Sequence, residues 1–500
     1  MQEGASSRGS VGHLSAVFTS CLATGIVMWA SLTLARDIKV SGGLTTSYEY
    51  SDRQYDKEDG SDTEESTGER ASSTTAANSA GDYNRLRMSP MIAVSSVSAR
   101  DDLVLRYLPS FRYDMANYDH DIDHDLTATL KRAISSNWAL KLNERYLLTD
   151  KTADATATAV ADDTARLSDT AERRRYWTND LGFVSDYTYG QDRLLSLGYS
   201  LGNLRHIDAD PDGNLEDYDR HAATLTAGHR FDAVWAVNVA GGYVRGLYDA
   251  IRQDTEQEEA VEALQDRNLH EYHGSMVVDS RIIDHHPLSL TYNYLGVVYD
   301  AADRDNLALH DLTGGWQWDI AKNFTLNLGT GPSVQVTEGQ SGEWGYNANA
   351  KVKYALERGA FLLSANRGFE VQNFTGAEES GRREFWQSRF DFNYQVLQNV
   401  QFALFTLYRN EDLEEVTAQY LAEGQSEASS GEENSIVTET DTIKRRRLST
   451  GSSLGYRFAQ WYTMKLTYDY LRQDSDKEND SFDEHRLILS LAAEMELFTW

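Results

Sequence analysis

The chain has 500 residues, with 78 Asp and Glu against 47 Lys and Arg, and a formal net charge of −31. A single Cys excludes a disulfide framework and any thiolate-built zinc or iron–sulfur centre, and so acidic a chain repels the phosphates of nucleic acid. The 28 Tyr and 10 Trp, beside only 5 Pro, suit a surface that is apolar in one place and wet in another.

Residues 1–35 read as a secretory signal peptide for Sec-type export. A polar start carrying Arg8 and His13 precedes one long apolar run, Leu14 to Ala35, with small residues near its end. The competing reading is an uncleaved signal anchor, and both export the chain. Cys21 sits inside the run, which continues past it and argues against a lipid-attachment site. No later run approaches the ~20 apolar residues of a membrane-spanning helix.

From residue 36 to residue 500 one pattern repeats. Leu195, Leu197, Tyr199 and Leu201 alternate with Ser196, Gly198 and Ser200; Leu288, Leu290, Tyr292 and Tyr294 alternate with Ser289, Thr291 and Asn293. Period-two patterning of this length means strands with one apolar and one polar face. Strands are expected to begin near Ile38, Asn84, Leu103, Leu126, Trp138, Tyr176, Leu194, Ala222, Val234, Leu269, Leu288, Leu307, Phe324, Trp344, Phe361, Phe385, Val400, Leu448, Tyr462 and Arg486. Short connections alternate with long polar ones (52–80, 150–172, 206–217, 249–267, 410–443, 472–482), and each long one follows an odd-numbered strand. This sorting predicts an all-β fold: a transmembrane antiparallel up-and-down β-barrel of about 20 strands (18–22), with short periplasmic turns and long acidic extracellular loops. A soluble sandwich, propeller or β-helix does not produce such one-sided sorting. The location that follows is the bacterial outer membrane, with its lipid as the first partner.

The acid is concentrated in the long connections. The stretch 410–443 has ten acidic residues and no basic one. Strands and short turns are left with a basic excess. Its inward parity includes Arg85, Arg87, Arg106, Arg112, Lys131, Lys141, Arg145, Arg230, Arg281, Lys351, Lys353, Arg389, Arg409, Arg447, Arg457 and Lys465, with Asp114, Asp186, Glu271, Asp279, Asp319, Glu370 and Asp391 among the acids opposite. A charge turned to lipid costs ~2–4 kcal/mol near the midplane, so these residues are expected to line the lumen. Rings of Arg and Lys favour anions; the alternative is that they pair across an inert interior. Any constriction is expected from a folded-in loop, with 410–443 and 249–267 as candidates, or from another protein.

The stretch from Asp208 to Asp219 follows a twelve-position calcium loop, with Asp208, Asp210, Asp212, Asn214, Glu216 and Asp219 as oxygen ligands and Gly213 at the sharp turn. Asp replaces the usual bidentate Glu at the last position, so a solvated acidic loop is the competing reading. Ca2+ is the one candidate ion and no cofactor is required. The cluster Asp119–Asp125, with His120 and His124, is a weaker divalent-ion candidate. His273 near Glu271 and His485 beside Glu484 have no nucleophile fixed next to them, and no enzyme is expected.

The C-terminal part carries a resemblance. Ser452-Ser453-Leu454-Gly455-Tyr456-Arg457-Phe458, Trp461 to Tyr470 with Asp474-Ser475, and Glu484-His485-Arg486-Leu487 resemble the β-barrel porins often encoded beside exopolysaccharide genes in Gram-negative bacteria. The closing Phe498-Thr499-Trp500 resembles the signal read by the barrel assembly machinery, although Phe498 and Trp500 are out of phase with Leu487–Leu497; a bulge would restore the phase. The resemblance implies a conduit for secreted, anionic exopolysaccharide or oligosaccharide working with periplasmic polysaccharide-export proteins. The alternatives are a general diffusion porin, an adhesive or structural surface barrel with calcium-bridged loops, and the sheath of an electron conduit, which would need a haem-protein partner.

Overall fold

The computed structural model describes residues 37–55, 83–116, 118–150, 175–207, 217–249, 267–301, 304–374, 381–419, 437–477 and 480–500, the side chains of 381, 414–419 and 437–441 excepted. The apolar run Leu14–Ala35 and most of the long connections lie outside the described residues.

Twenty strands are present: β1 (Asp37–Tyr55), β2 (Tyr83–Val97), β3 (Asp101–Asp114), β4 (Asp119–Ala133), β5 (Trp138–Thr149), β6 (Tyr176–Gly190), β7 (Arg193–His206), β8 (Tyr218–Arg230), β9 (Trp235–Tyr248) and β10 (Leu269–Ser280). They continue with β11 (Leu288–Tyr299), β12 (Leu307–Ala321), β13 (Phe324–Thr337), β14 (Glu343–Leu356), β15 (Gly359–Gln372), β16 (Gly381–Leu397), β17 (Val400–Gln419), β18 (Val437–Arg457), β19 (Tyr462–Ser475) and β20 (Phe482–Thr499). Each pairs antiparallel with its neighbours in sequence, and β20 closes on β1 from Lys39↔Thr499 to Tyr55↔Phe482. Closure leaves no open edge, which is what hydrocarbon demands of a spanning sheet.

Outward positions are apolar and open. Leu195, Leu197 and Tyr199 are 43, 55 and 45% exposed, while the intervening Gly198 is buried. Aromatic side chains gather towards both ends of the wall: Trp138, Trp235, Trp316 and Trp318 near the short turns, and Tyr48, Tyr113, Tyr243, Tyr292 and Tyr468 near the long connections. Such bands mark the two water–lipid boundaries. Glu144 is a carboxylate on the outward parity, between Ala128 and Leu181 midway along β5, and it is buried.

Several strands run further than their apolar pattern. β4 begins at Asp119 rather than near Leu126, β8 at Tyr218 rather than Ala222, and β18 at Val437 rather than Leu448. The described parts of the stretch 410–443, residues 410–419 and 437–443, are therefore an extension of the β17–β18 ladder, from Asn410↔Arg446 to Gln419↔Val437, and 420–436 lie outside the described residues. The sorting of connections has two short exceptions, 115–118 and 338–342; on the other side the turn 281–287 is longer than either.

The β1–β20 seam contains the expected bulge. Ser41 pairs with Glu496 and Val40 with Phe498, so Leu497 is the extra residue. Beyond it Phe498 and Trp500 return to the outward face, 63 and 68% exposed, and Trp500 exchanges backbone hydrogen bonds with Ile38 at 2.9 and 3.0 Å.

Candidate functional site: the barrel lumen

Strand parity turns the predicted cations inward. Arg85, Arg87, Arg106, Arg112, Lys141, Arg145, Lys351, Lys353, Arg389, Arg409 and Arg447 alternate with outward apolar or aromatic neighbours, Arg457 ends β18, and Arg281 stands in the turn after β10. They then divide by height in the barrel.

Towards the long connections the cations are neutralised. Arg85 meets Asp114 at 3.2 Å, Arg87 meets Glu49 at 3.5 Å and Arg145 meets Asp125 at 3.2 Å. Arg112 is held by Asp150 and by Asp121 at 3.1 Å. The densest network joins four strands and the β19–β20 connection. Glu411 accepts from Arg409 at 2.7 Å and from Arg383 and Arg445 at 3.5 Å each; Arg409 also reaches Glu370, and Arg445 reaches Asp480 at 2.7 Å. Arg445 is 1% exposed, so its charge depends on those carboxylates.

Towards the short turns the pattern reverses. Arg106, Lys131, Lys351, Lys353, Arg457 and Lys465 are exposed to the lumen and make no hydrogen bond or ion pair among the described residues. Asp102, Asp279, Asp319 and Glu494 share this half with them, and Lys141 is paired to Asp186 at 2.7 Å. Both readings of the basic residues thus apply, each at its own level. The extracellular half is cross-linked, and the periplasmic half presents free cations.

At the extracellular end of the strands a segment crosses the interior. Asn373 and Phe374, which follow β15, reach the wall formed by β8 to β11. Asn373 is 3% exposed; its amide donates to Glu271 Oε1 at 2.6 Å and its side-chain oxygen accepts from the Tyr299 hydroxyl at 3.2 Å. Tyr248 donates to the Asn373 carbonyl and Tyr218 to the Phe374 carbonyl. The Phe374 ring stacks on Tyr248 with centroids 5.8 Å apart and meets Tyr218 edge-on at 5.2 Å. Gly246 permits this approach, because a Cβ there would stand 2.8 Å from Phe374 Cε1. The segment that enters the lumen belongs to the β15–β16 connection, which the sequence did not single out. The other expected constrictor, 249–267, is described only at Asp249, Arg267 and Asn268. The available sequence signal was an aromatic residue in a polar connection.

Of the calcium-loop residues, Asp208, Asp210, Asp212, Asn214 and Glu216 lie outside the described residues. Asp219 opens β8 on the outward parity, where it accepts from Arg205 at 2.7 Å and from Asn203. The cluster Asp119–Asp125 is strand, not loop: Asp121, Asp123 and Asp125 turn inward, His120 and His124 outward. No group of three potential metal ligands converges among the described residues. His273 does reach Glu271, at 3.1 Å.

No protein-family model matches the chain, and no curated protein matches it. Solved structures resemble it. The siderophore receptor PirA of Pseudomonas aeruginosa aligns over 91% of this chain and 80% of its own, with 8% identity and a TM-score of 0.48. OpdQ of Pseudomonas aeruginosa covers 92 and 98% at 13% identity and a TM-score of 0.40, and OccAB3 of Acinetobacter baumannii covers 91 and 99% at 10% and 0.40. The closed wall, the apolar belt between two aromatic bands and the inward-turned charges make the chain a multi-pass barrel of the outer-membrane type.

Proposed function

We propose that this barrel is an outer-membrane channel that takes up an anionic oligosaccharide or polysaccharide at its periplasmic mouth and releases it outside. The observation that carries the reading is the set of unpartnered lumen cations, Arg106, Lys131, Lys351, Lys353, Arg457 and Lys465, in the periplasmic half. A field of free positive charge concentrates anions where cargo from the cell would enter, and the neutralised upper half does not hold them there. Periplasmic polysaccharide-export proteins are the partners this direction calls for, and the barrel assembly machinery would read β20, whose bulge aligns Phe498 and Trp500 with the outward face.

The strap at Asn373–Phe374 favours a second reading, a barrel closed in its resting state that serves in surface contact, with calcium on the 208–219 connection as its bridging ion. Single-channel recording of the purified protein in a planar bilayer under a KCl gradient separates the two. Steady conductance with anion preference supports the exporter, conductance with cation preference overturns the anionic cargo and leaves a general porin, and a folded but silent barrel favours the closed reading.

A further inference from the structure

The outward face repeats one side-chain pair that transport does not use. Tyr107 and His124, Tyr199 and His221, Tyr243 and His270, Tyr292 and His310, and Tyr468 and His485 each join a tyrosine hydroxyl to a histidine Nδ1, at 2.9, 2.9, 2.7, 2.9 and 2.9 Å. The geometry is the same in all five hairpins. The histidine lies within the first six residues of an even strand entering from a long connection, and the tyrosine lies on the preceding strand, two residues nearer the periplasm than the histidine's register partner. Every pair thus falls at the extracellular edge of the aromatic band. A similar pair, Tyr189 with His229 at 3.1 Å, occurs at the periplasmic end.

A hydroxyl that donates to Nδ1 leaves the proton of a neutral imidazole on Nε2. At His124, His221, His310 and His485 that Nε2–H has no partner among the described residues; at His270 it meets Arg245 and Asp300. Three rim arginines are already committed, Arg245 to Asp300 at 2.6 Å, Arg205 to Asp219 at 2.7 Å and Arg472 to Asp474 at 2.9 Å, while Lys444 and Arg446 on β18 are exposed on the outward parity with no side-chain partner among the described residues. Four of the free donors facing the outer leaflet are therefore imidazoles, standing where lipid headgroups begin.

We infer that these histidines form a recognition girdle for phosphorylated lipid headgroups of the outer leaflet, with each Nε2–H donating to a phosphate oxygen and the paired tyrosine fixing the tautomer. The full-length barrel in nanodiscs of phosphatidylcholine doped with phosphatidic acid tests this, by lipid analysis of the protein-bound annulus. The wild type should enrich phosphatidic acid, and the combined H124F/H221F/H310F/H485F variant should lose about threefold or more of that enrichment, since the phosphate loses four donors. Heat-modifiable gel mobility establishes that the variant is folded. Should it fail to fold, the set Y107F/Y199F/Y292F/Y468F decides, because it keeps every imidazole and removes only the hydroxyl that fixes the tautomer; partial loss of enrichment is expected. Equal enrichment in wild type and folded variants overturns the proposal.

Discussion

Phe374 and Asn373 reach from the end of β15 to the wall of β8 to β11. Their attachment is polar at the backbone, through Tyr218 and Tyr248, and apolar at the ring, so the strap is held by a small number of contacts. Phe374→Ala is expected to loosen it and raise single-channel conductance about twofold, and Gly246→Ala to act in the same direction by pushing the ring from its seat. A silent phenotype in both variants would mean that the strap does not limit flow. Arg445 obeys a different rule. Removing its guanidinium leaves Glu411 and Asp480 short of a partner, so Arg445→Met should cost about 3–5 kcal/mol, read as a lower urea midpoint of the barrel in liposomes. The inward placement of Arg409, Arg447 and Glu370 was legible from parity alone, whereas Arg445 lies ahead of the expected start of its strand near Leu448 and was not singled out. The destination of Phe374 was not legible, because a cross-lumen contact between β15 and β9 leaves no periodic trace in either segment.

Strands reveal themselves in sequence only where lipid requires it. Within the bilayer the outward residue must be apolar, and the period of two is plain. Above it both faces meet water, alternation lapses, and the backbone ladder continues on its own hydrogen bonds and cross-strand charge pairs. Asp412 opposite Lys444, Asn410 opposite Arg446 and Glu411 opposite Arg445 extend β17 and β18 through a stretch whose acidity reads as loop. Asp119–Asp125 at the head of β4 is the same case. The bulge at Leu497 is an opposite one, since two out-of-phase aromatics announced it. Deleting Leu497 should remove the bulge yet keep Phe498 opposite Val40 on the outward face, so the folded fraction in the outer membrane, measured by heat-modifiable mobility, should stay close to wild type, whereas Phe498→Ser combined with Trp500→Ser keeps the bulge, loses the outward aromatics and should reduce that fraction several-fold.

Over the whole molecule, charge is partitioned three ways: acid outside, balanced pairs in the upper lumen, free cations below. On the proposed function, ion selectivity would rest on a few side chains. Lys351→Glu combined with Lys353→Glu should move the reversal potential in a KCl gradient towards cation preference, while Arg85→Gln, which alters an already paired site, should leave it close to the wild-type value. If the two changes shift selectivity equally, the division of the lumen has no functional meaning.

The seam between β1 and β20 bears on the timing of assembly. Lys39 and Glu496 meet across it although they stand 457 positions apart in the chain, whereas each other strand pair joins neighbours in sequence. Hairpins can zip locally as soon as they are exported, but the ring cannot seal until the last strand has arrived, and the entropy of closing so long a loop falls on that single step. Until then both β1 and the newest strand expose bare backbone edges that invite pairing with the wrong chain. A polypeptide with this topology therefore needs an escort across the periplasm and a template that holds its first strand open, and arrest of synthesis before Phe482 should yield an aggregation-prone sheet in place of a smaller pore.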